Sequence, residues 1–305
     1  MRIVKDTNID FMSKTTLASS LSAILIIIGF ASMIVNGGPK LSIDFKGGTL
    51  VAVNFTDPVD INKIRSGLAD VTIDGKNFDF SKEEIKHFGD KTNVAIRLAI
   101  LSDEPNQFSN KVAEKLAEVY PEFIPEKKSN FILSIEKVGP KIGAELSGDA
   151  ILAILSALGL ILIYISIRFE FKYAIGAIAA LTHDVFITIG IFSILDYEIS
   201  LAVIAAFLTI VGYSLNDTIV IFDRVRENVK GLKNANIRSV INQSINESLS
   251  RTIVTSLTTL LVVLILFLIG GEVIHTFSFA MIVGVIVGTY SSIFVASPVV
   301  IKMDR

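Results

Sequence analysis

What most limits the fold of this chain is a set of long apolar stretches nearly free of charge. Residues 15–39 carry no charged side chain, and residues 17–35 are almost wholly apolar. A helix rises 1.5 Å per residue, so about 20 such residues cross a hydrocarbon core of roughly 30 Å. The apolar region of a cleaved signal peptide is shorter, about 7–15 residues, so this run reads as a permanent span. Five further spans are expected at residues 150–167, 173–195, 200–222, 252–269 and 273–301. The third is interrupted by His183-Asp184 and the fourth carries Asn216-Asp217. The sixth is long enough to tilt or to extend past the bilayer.

Charge is segregated accordingly. Only 19% of the 305 residues are charged, against about 25% in an average soluble protein. Residues 36–147 and 223–251 hold most of them. The net charge of −2 gives no footprint for nucleic acid, and the absence of cysteine excludes a disulfide framework, a thiolate nucleophile and a zinc knuckle. Six spans place both termini on one side. Arg2, Lys5, Lys14, Arg168, Lys172, Arg224, Arg226, Lys230, Lys233, Arg238, Arg251, Lys302 and Arg305 all fall on that side, whereas residues 196–199 and 270–272 contain no lysine or arginine. Both termini are therefore expected in the cytoplasm. The organisation read from the chain is residues 1–36 for the N-terminus and first span, 37–147 for an external domain, and 148–305 for the remaining five spans.

The external domain has its own pattern. Residues 47–55 read as a strand opening on glycines, 60–68 as a helix, 79–88 and 93–100 as two strands around Gly89-Asp90, 107–120 as an amphipathic helix, and 131–138 as a last strand. The order βαββαβ predicts an α+β, ferredoxin-like domain. That architecture alone implies no chemistry.

Function is sought where polarity breaks the spans. An ionisable side chain there costs about 2.5–3.5 kcal/mol on insertion scales. Asp217 shares a helical face with Tyr213, one turn away, and Ser214 and Thr218 form an adjoining polar stripe beside Asn216. Arg251, at the start of the fifth span, is the available cation, and Thr255, Ser256, Thr258 and Thr259 continue its polar face. Two readings follow: a carboxylate that takes up and releases a proton while Arg251 pairs with it and lets go, or a static buried pair. His183-Asp184 is a second site, read as a relay or as a packing contact. His275 is expected at the external mouth of the sixth span. Ala280, Gly284, Gly288, Ser292 and Ala296 form a ladder of small residues suited to close helix packing. A segment near 234–249, with Ile237, Val240, Ile241, Ile245 and Leu249 on one side, reads as an amphipathic helix on the cytoplasmic membrane surface. Lys46-Gly47-Gly48-Thr49 lacks the spacing of a phosphate loop, and no HExxH, GxSxG or paired-carboxylate arrangement occurs, so no enzyme, cofactor or metal is expected.

These residues also resemble one family. Asp44-Phe45-Lys46-Gly47-Gly48-Thr49 is similar to the Asp-Phe-x-Gly-Gly-Thr motif that follows the first span in SecF subunits of the bacterial protein translocase, of the SecD/SecF family in the RND superfamily. His183-Asp184 matches the third-span motif, residues 211–228 (VGYSLNDTIVIFDRVREN) the fourth-span signature, and Leu249-Ser250-Arg251-Thr252 the start of the fifth span. The resemblance covers the whole chain. It implies a six-span half of an RND-like transporter, with SecD supplying the other half and a further functional Asp. It implies association with the SecYEG channel, with YajC and YidC as further neighbours, and contact with an unfolded translocating polypeptide among the membrane lipids. It implies use of the proton-motive force in late steps of export, with the family's functional Asp falling on Asp217 and its Arg on Arg251, and a place in the bacterial inner membrane with the large domain periplasmic. Two other classes stand beside it: an RND-like exporter of small molecules or lipids working as a homodimer, and a scaffold whose external domain docks a partner. The coupling ion, H⁺ or Na⁺, is not readable from the residues.

Overall fold

A computed structural model describes residues 7–73, 75–98, 108–127, 130–231 and 236–304. Arg2, Lys5, Lys233 and Arg305, and the element ends at Ala99, Ile100 and Gln107, lie outside the described residues. Among the described residues, six helices are long and apolar enough to cross a membrane. The chain divides into two compact units, Met1–Lys40 with Ala150–Arg305, and Leu41–Asp149.

In the second unit, α2 (Ile43–Lys46) precedes β1 (Gly48–Asn54), α3 (Ile61–Gly67), a small hairpin of β2 (Val71–Ile73) and β3 (Lys76–Phe78), then β4 (Glu84–Phe88), β5 (Asp90–Leu98), α4 (Phe108–Val119) and β6 (Ile132–Val138). The main sheet runs β4-β5-β1-β6, and every neighbouring pair is antiparallel. This is the ferredoxin-like order with one hairpin added. The strand expected over 79–88 begins only at Glu84. Asp79 Oδ1 accepts from the Ser81 amide at 2.9 Å, and Arg65 donates to the Ser81 and Glu83 carbonyls, so this backbone bonds to side chains rather than to a strand. Val51 and Val53 of β1, Val94 and Ile96 of β5, Ile64 of α3, and Val112 and Leu116 of α4 form the core, each essentially without exposure. Burying such a side chain contributes about 1.5–3 kcal/mol.

The first unit is the helix bundle: α1 (Thr15–Val35), α5 (Pro140–Arg168), which begins in the other unit, α6 (Phe171–Ile194), α7 (Leu201–Gly231), α8 (Ile237–Ile269), α9 (Glu272–Ser291) and α10 (Ser297–Met303). Only 6% of the most apolar window of α5 is buried, against 56% in α6. The apolar surface of α5 suits lipid, whereas α6, α7 and α9 enclose the polar residues. Glycines set the closest approaches. An added methyl at Gly29 of α1 would stand 2.7 Å from Gly190 Cα of α6, and one at Gly288 of α9 would stand 2.8 Å from Ser214 Cβ of α7. One at Gly284 would collide with Ile210, so the ladder on the last span is a packing seam.

Two elements differ from expectation. The segment near 234–249 is not a separate surface helix, because α8 runs unbroken from Ile237 to Ile269. Its apolar face is covered by protein: Val240, Ile241 and Ile245 are buried in a cluster with Met12, Phe169, Tyr173 and Val225. The chain before α1 is laced to the same helix. Asn242 and Asn246 accept from the amides of Phe11 and Ile9, both at 2.8 Å, and Arg238 donates to the Met12 carbonyl at 2.8 Å. The last span is also not one regular helix. A π turn, Ser292–Ala296, separates α9 from α10. Pro298 in the first turn of α10 has no N–H to donate, which loosens the preceding carbonyl ladder and favours the wider turn.

Candidate ion-coupling site

The polar residues of the bundle gather at two carboxylates. Asp184 of α6 is fully buried. Its Oδ1 lies 3.0 Å from His183 Nδ1, and its Oδ2 accepts from Ser214 Oγ of α7 at 2.6 Å and from Ser291 Oγ of α9 at 2.9 Å. His183 Nε2 lies 2.9 Å from Ser22 Oγ of α1, Ser22 lies 3.0 Å from the Tyr290 hydroxyl, and that hydroxyl donates to the Ala18 carbonyl at 2.7 Å. These last three contacts need three hydrogens, and the two hydroxyls supply two. All three are made only when His183 Nε2 carries a hydrogen. The His183–Asp184 pair is then neutral as a unit, as a low-dielectric interior favours.

Asp217 of α7 is equally hidden, at 2% exposure, but is held differently. Thr255 Oγ1 and Ser256 Oγ of α8 donate to it at 3.5 and 3.4 Å, at the long limit of hydrogen bonding. Ser256 in turn lies 2.7 Å from Thr289 Oγ1 of α9. Arg251, one helical turn from Thr255, is exposed and makes no ion pair among the described residues. The two expected members of the site are thus on neighbouring helices and unpaired.

The rest of the expected stripe on α7 divides. Ser214 serves Asp184, and Thr218 lies 2.9 Å from Ser292 Oγ. At about 100° per residue Thr218 is turned roughly 100° from Asp217 and Ser214 roughly 60°, enough for each to reach a different helix. Asn216 is exposed. Tyr213 is half-buried, with its hydroxyl enclosed and unpartnered among the described residues. His275 stacks on Phe267 with ring centres 4.1 Å apart. The residues 44–49 make a backbone joint. Ser42 caps α2 through the Asp44 amide, Phe45 is buried, Gly47 and Gly48 take φ of 74° and 133°, and Thr49 is buried at the start of β1. A side chain at Gly48 would meet the Leu98 carbonyl at 2.8 Å, so glycine is required there.

Sequence reasoning passed over Ser22, Thr289, Tyr290 and Ser291. Hydroxyl residues cost little in an apolar span, so they gave no signal as strong as that of a charge. The last three share one mark of position, since with Ser292 they make four polar side chains in a row at 289–292.

Residues 121–305 match the family described as protein export membrane protein SecD/SecF, C-terminal. The chain is 46% identical to the protein translocase subunit SecF of Calditerrivibrio nitroreducens over 98% of its own length and 95% of that protein. It is 42% identical to SecF of Magnetococcus marinus, over 99% and 94%. The crystal structure of SecDF from Thermus thermophilus, a translocon-associated membrane protein, aligns with a TM-score of 0.83 at 37% identity. That alignment covers 98% of this chain and 39% of the SecDF chain, so the chain spans well under half of that protein. A second SecDF structure, in the super-membrane-facing form, aligns with a TM-score of 0.67 at 38% identity, over 100% of this chain and 40% of that one.

Proposed function

Because the chain belongs to the SecD/SecF family of protein-export membrane proteins, we propose that Asp217 and Arg251 couple an ion gradient to the export of polypeptides. The chain is a multi-pass membrane protein of the Sec pathway with SecD as its partner. The reading adds that it lies in the inner membrane with both termini cytoplasmic and the unit Leu41–Asp149 on the periplasmic side. There this unit meets chains emerging from SecYEG, with YajC and YidC alongside.

The observation that carries the reading is the state of Asp217, a buried carboxylate with two long hydroxyl contacts and, among the described residues, no cation within ion-pair distance. A proton reaching it from outside removes a charge that the site holds poorly. The longer-range attraction between Asp217 and the exposed Arg251 is then lost, and α7 and α8 repack. One charge crossing the membrane contributes about 2.3 kcal/mol per 100 mV, which shifts a two-state equilibrium by tens-fold. The outer face of α7 supports a second membrane half, since Thr209, Gly212 and Asn216 are all exposed along one side. Small and polar residues on a spanning helix suit another helix better than lipid. A homodimeric small-molecule exporter would also cover that face, but the SecF relatives align along almost their whole length and favour SecD.

The test is export by the reconstituted SecD–SecYEG complex with proton and sodium gradients imposed separately. Gradient-driven export falls at least tenfold in Asp217→Asn and in Arg251→Lys, both still co-purifying with SecD. Full activity of both variants under both gradients removes the coupling role.

A further inference from the structure

We propose that four consecutive side chains where α9 runs into the π turn, Thr289, Tyr290, Ser291 and Ser292, form a hub that transmits the state of Asp217 to the other helices of the bundle. Their hydroxyls act as positioning groups for ion coupling, and the proposal rests on the coupling role of Asp217 given above. Four successive residues of a helix point about 100° apart and together sweep its whole circumference. Each of these four reaches a different helix. Thr289 Oγ1 lies 2.7 Å from Ser256 of α8. The Tyr290 hydroxyl lies 3.0 Å from Ser22 and 2.7 Å from the Ala18 carbonyl, both on α1. Ser291 Oγ lies 2.9 Å from Asp184 of α6, and Ser292 Oγ lies 2.9 Å from Thr218 of α7.

Serine and threonine in spanning helices usually satisfy themselves on a carbonyl one turn back. Thr289 has that option at the Val285 carbonyl, 2.8 Å away, and Ser292 at the Gly288 carbonyl, 2.9 Å away. The contacts to other helices come in addition, so each hydroxyl has two places to go with one hydrogen. This makes the row able to switch. When Asp217 is ionised, the Ser256 hydroxyl donates to it and accepts from Thr289. When Asp217 is neutralised, Ser256 is free to donate to Thr289, and the Thr289 hydrogen turns to the Val285 carbonyl. The change at the carboxylate is thereby handed to α9.

The surroundings favour transmission over absorption. Gly284 and Gly288 seat the α9 backbone directly against Ile210 and Ser214 of α7, so a shift of α9 is felt by α7. The π turn begins at Ser292, so the hub sits where the helix changes its winding. Tyr290 extends the chain of contacts to α1, which leads in sequence into the unit Leu41–Asp149.

The test uses the reconstituted complex with SecD and SecYEG under an imposed gradient, with gradient-independent export measured in the same samples. Thr289→Val keeps the shape and removes the hydroxyl; Thr289→Ser does the reverse. We expect Thr289→Val to lower gradient-driven export roughly fivefold or more and Thr289→Ser to stay within about twofold, as a coupling contribution of this class allows. Gradient-independent export stays unchanged in both. In Asp217→Asn, which itself abolishes the gradient effect, adding Thr289→Val changes nothing further. Should Thr289→Val not assemble with SecD, Ser292→Ala against Ser292→Thr is read by the same criteria. Full gradient response in Thr289→Val, or a loss that follows the methyl group rather than the hydroxyl, overturns the hub while leaving Asp217 in place. Full response in Asp217→Asn instead removes the reading beneath it.

Discussion

Asp184 and Asp217 are both buried in the span bundle, yet the protein treats them in opposite ways. Asp184 has a histidine to neutralise it and two hydroxyls within 2.9 Å. Its contacts tie α1, α6, α7 and α9 into one network. Asp217 has two contacts near 3.5 Å, and the cation on the neighbouring helix, Arg251, one turn from Thr255, makes no ion pair among the described residues. A fully satisfied buried charge specifies a single packing, whereas a poorly satisfied one is kept at a cost, and such groups concentrate where a charge must change.

The contrast can be broken first at Asp184. Asp184→Ala leaves His183, Ser214 and Ser291 buried without their shared acceptor, and should destabilise the bundle by about 3–5 kcal/mol, read as a lowered unfolding temperature in detergent. A smaller loss, of about 1–3 kcal/mol, is expected for Gly284→Val, which forces a side chain into Ile210 and strains the seam beside both sites. Asp217→Asn should change stability by less than about 1 kcal/mol, because the bonds it weakens are already long. A large loss there would show that Asp217 is a structural anchor like Asp184. Smallest is Arg251→Gln, expected within about 0.5 kcal/mol since its side chain is exposed and unpaired. It should nevertheless impair gradient-driven export, and that separation of stability from activity is what distinguishes the two sites.

Much of this was legible in the residues. Six apolar runs mark the six spans, and the βαββαβ spacing marks the ferredoxin-like unit, because burial periodicity is written locally. The polar interruptions at 183–184 and 217 mark both carboxylates. What stayed hidden depends on partners far along the chain. The apolar face of 237–249 looks unpartnered in sequence and asks for a membrane surface, but Phe11 and Met12, more than 200 residues earlier, cover it. Ser214 and Thr218 looked like neighbours of Asp217, and only the placement of α6 and α9 assigns them to Asp184 and Ser292. The need for a hydrogen on His183 Nε2 likewise follows from the contacts of Ser22 and Tyr290, on two other helices.

The central claim is that Asp217, and not Asp184, changes its protonation during coupling. Infrared difference spectroscopy of the reconstituted complex, taken across a pH step, reads carboxyl groups directly. The account predicts a carboxyl band that responds to pH in the wild type, disappears in Asp217→Asn and persists in Asp184→Asn. A band that survives Asp217→Asn and is lost in Asp184→Asn would contradict it.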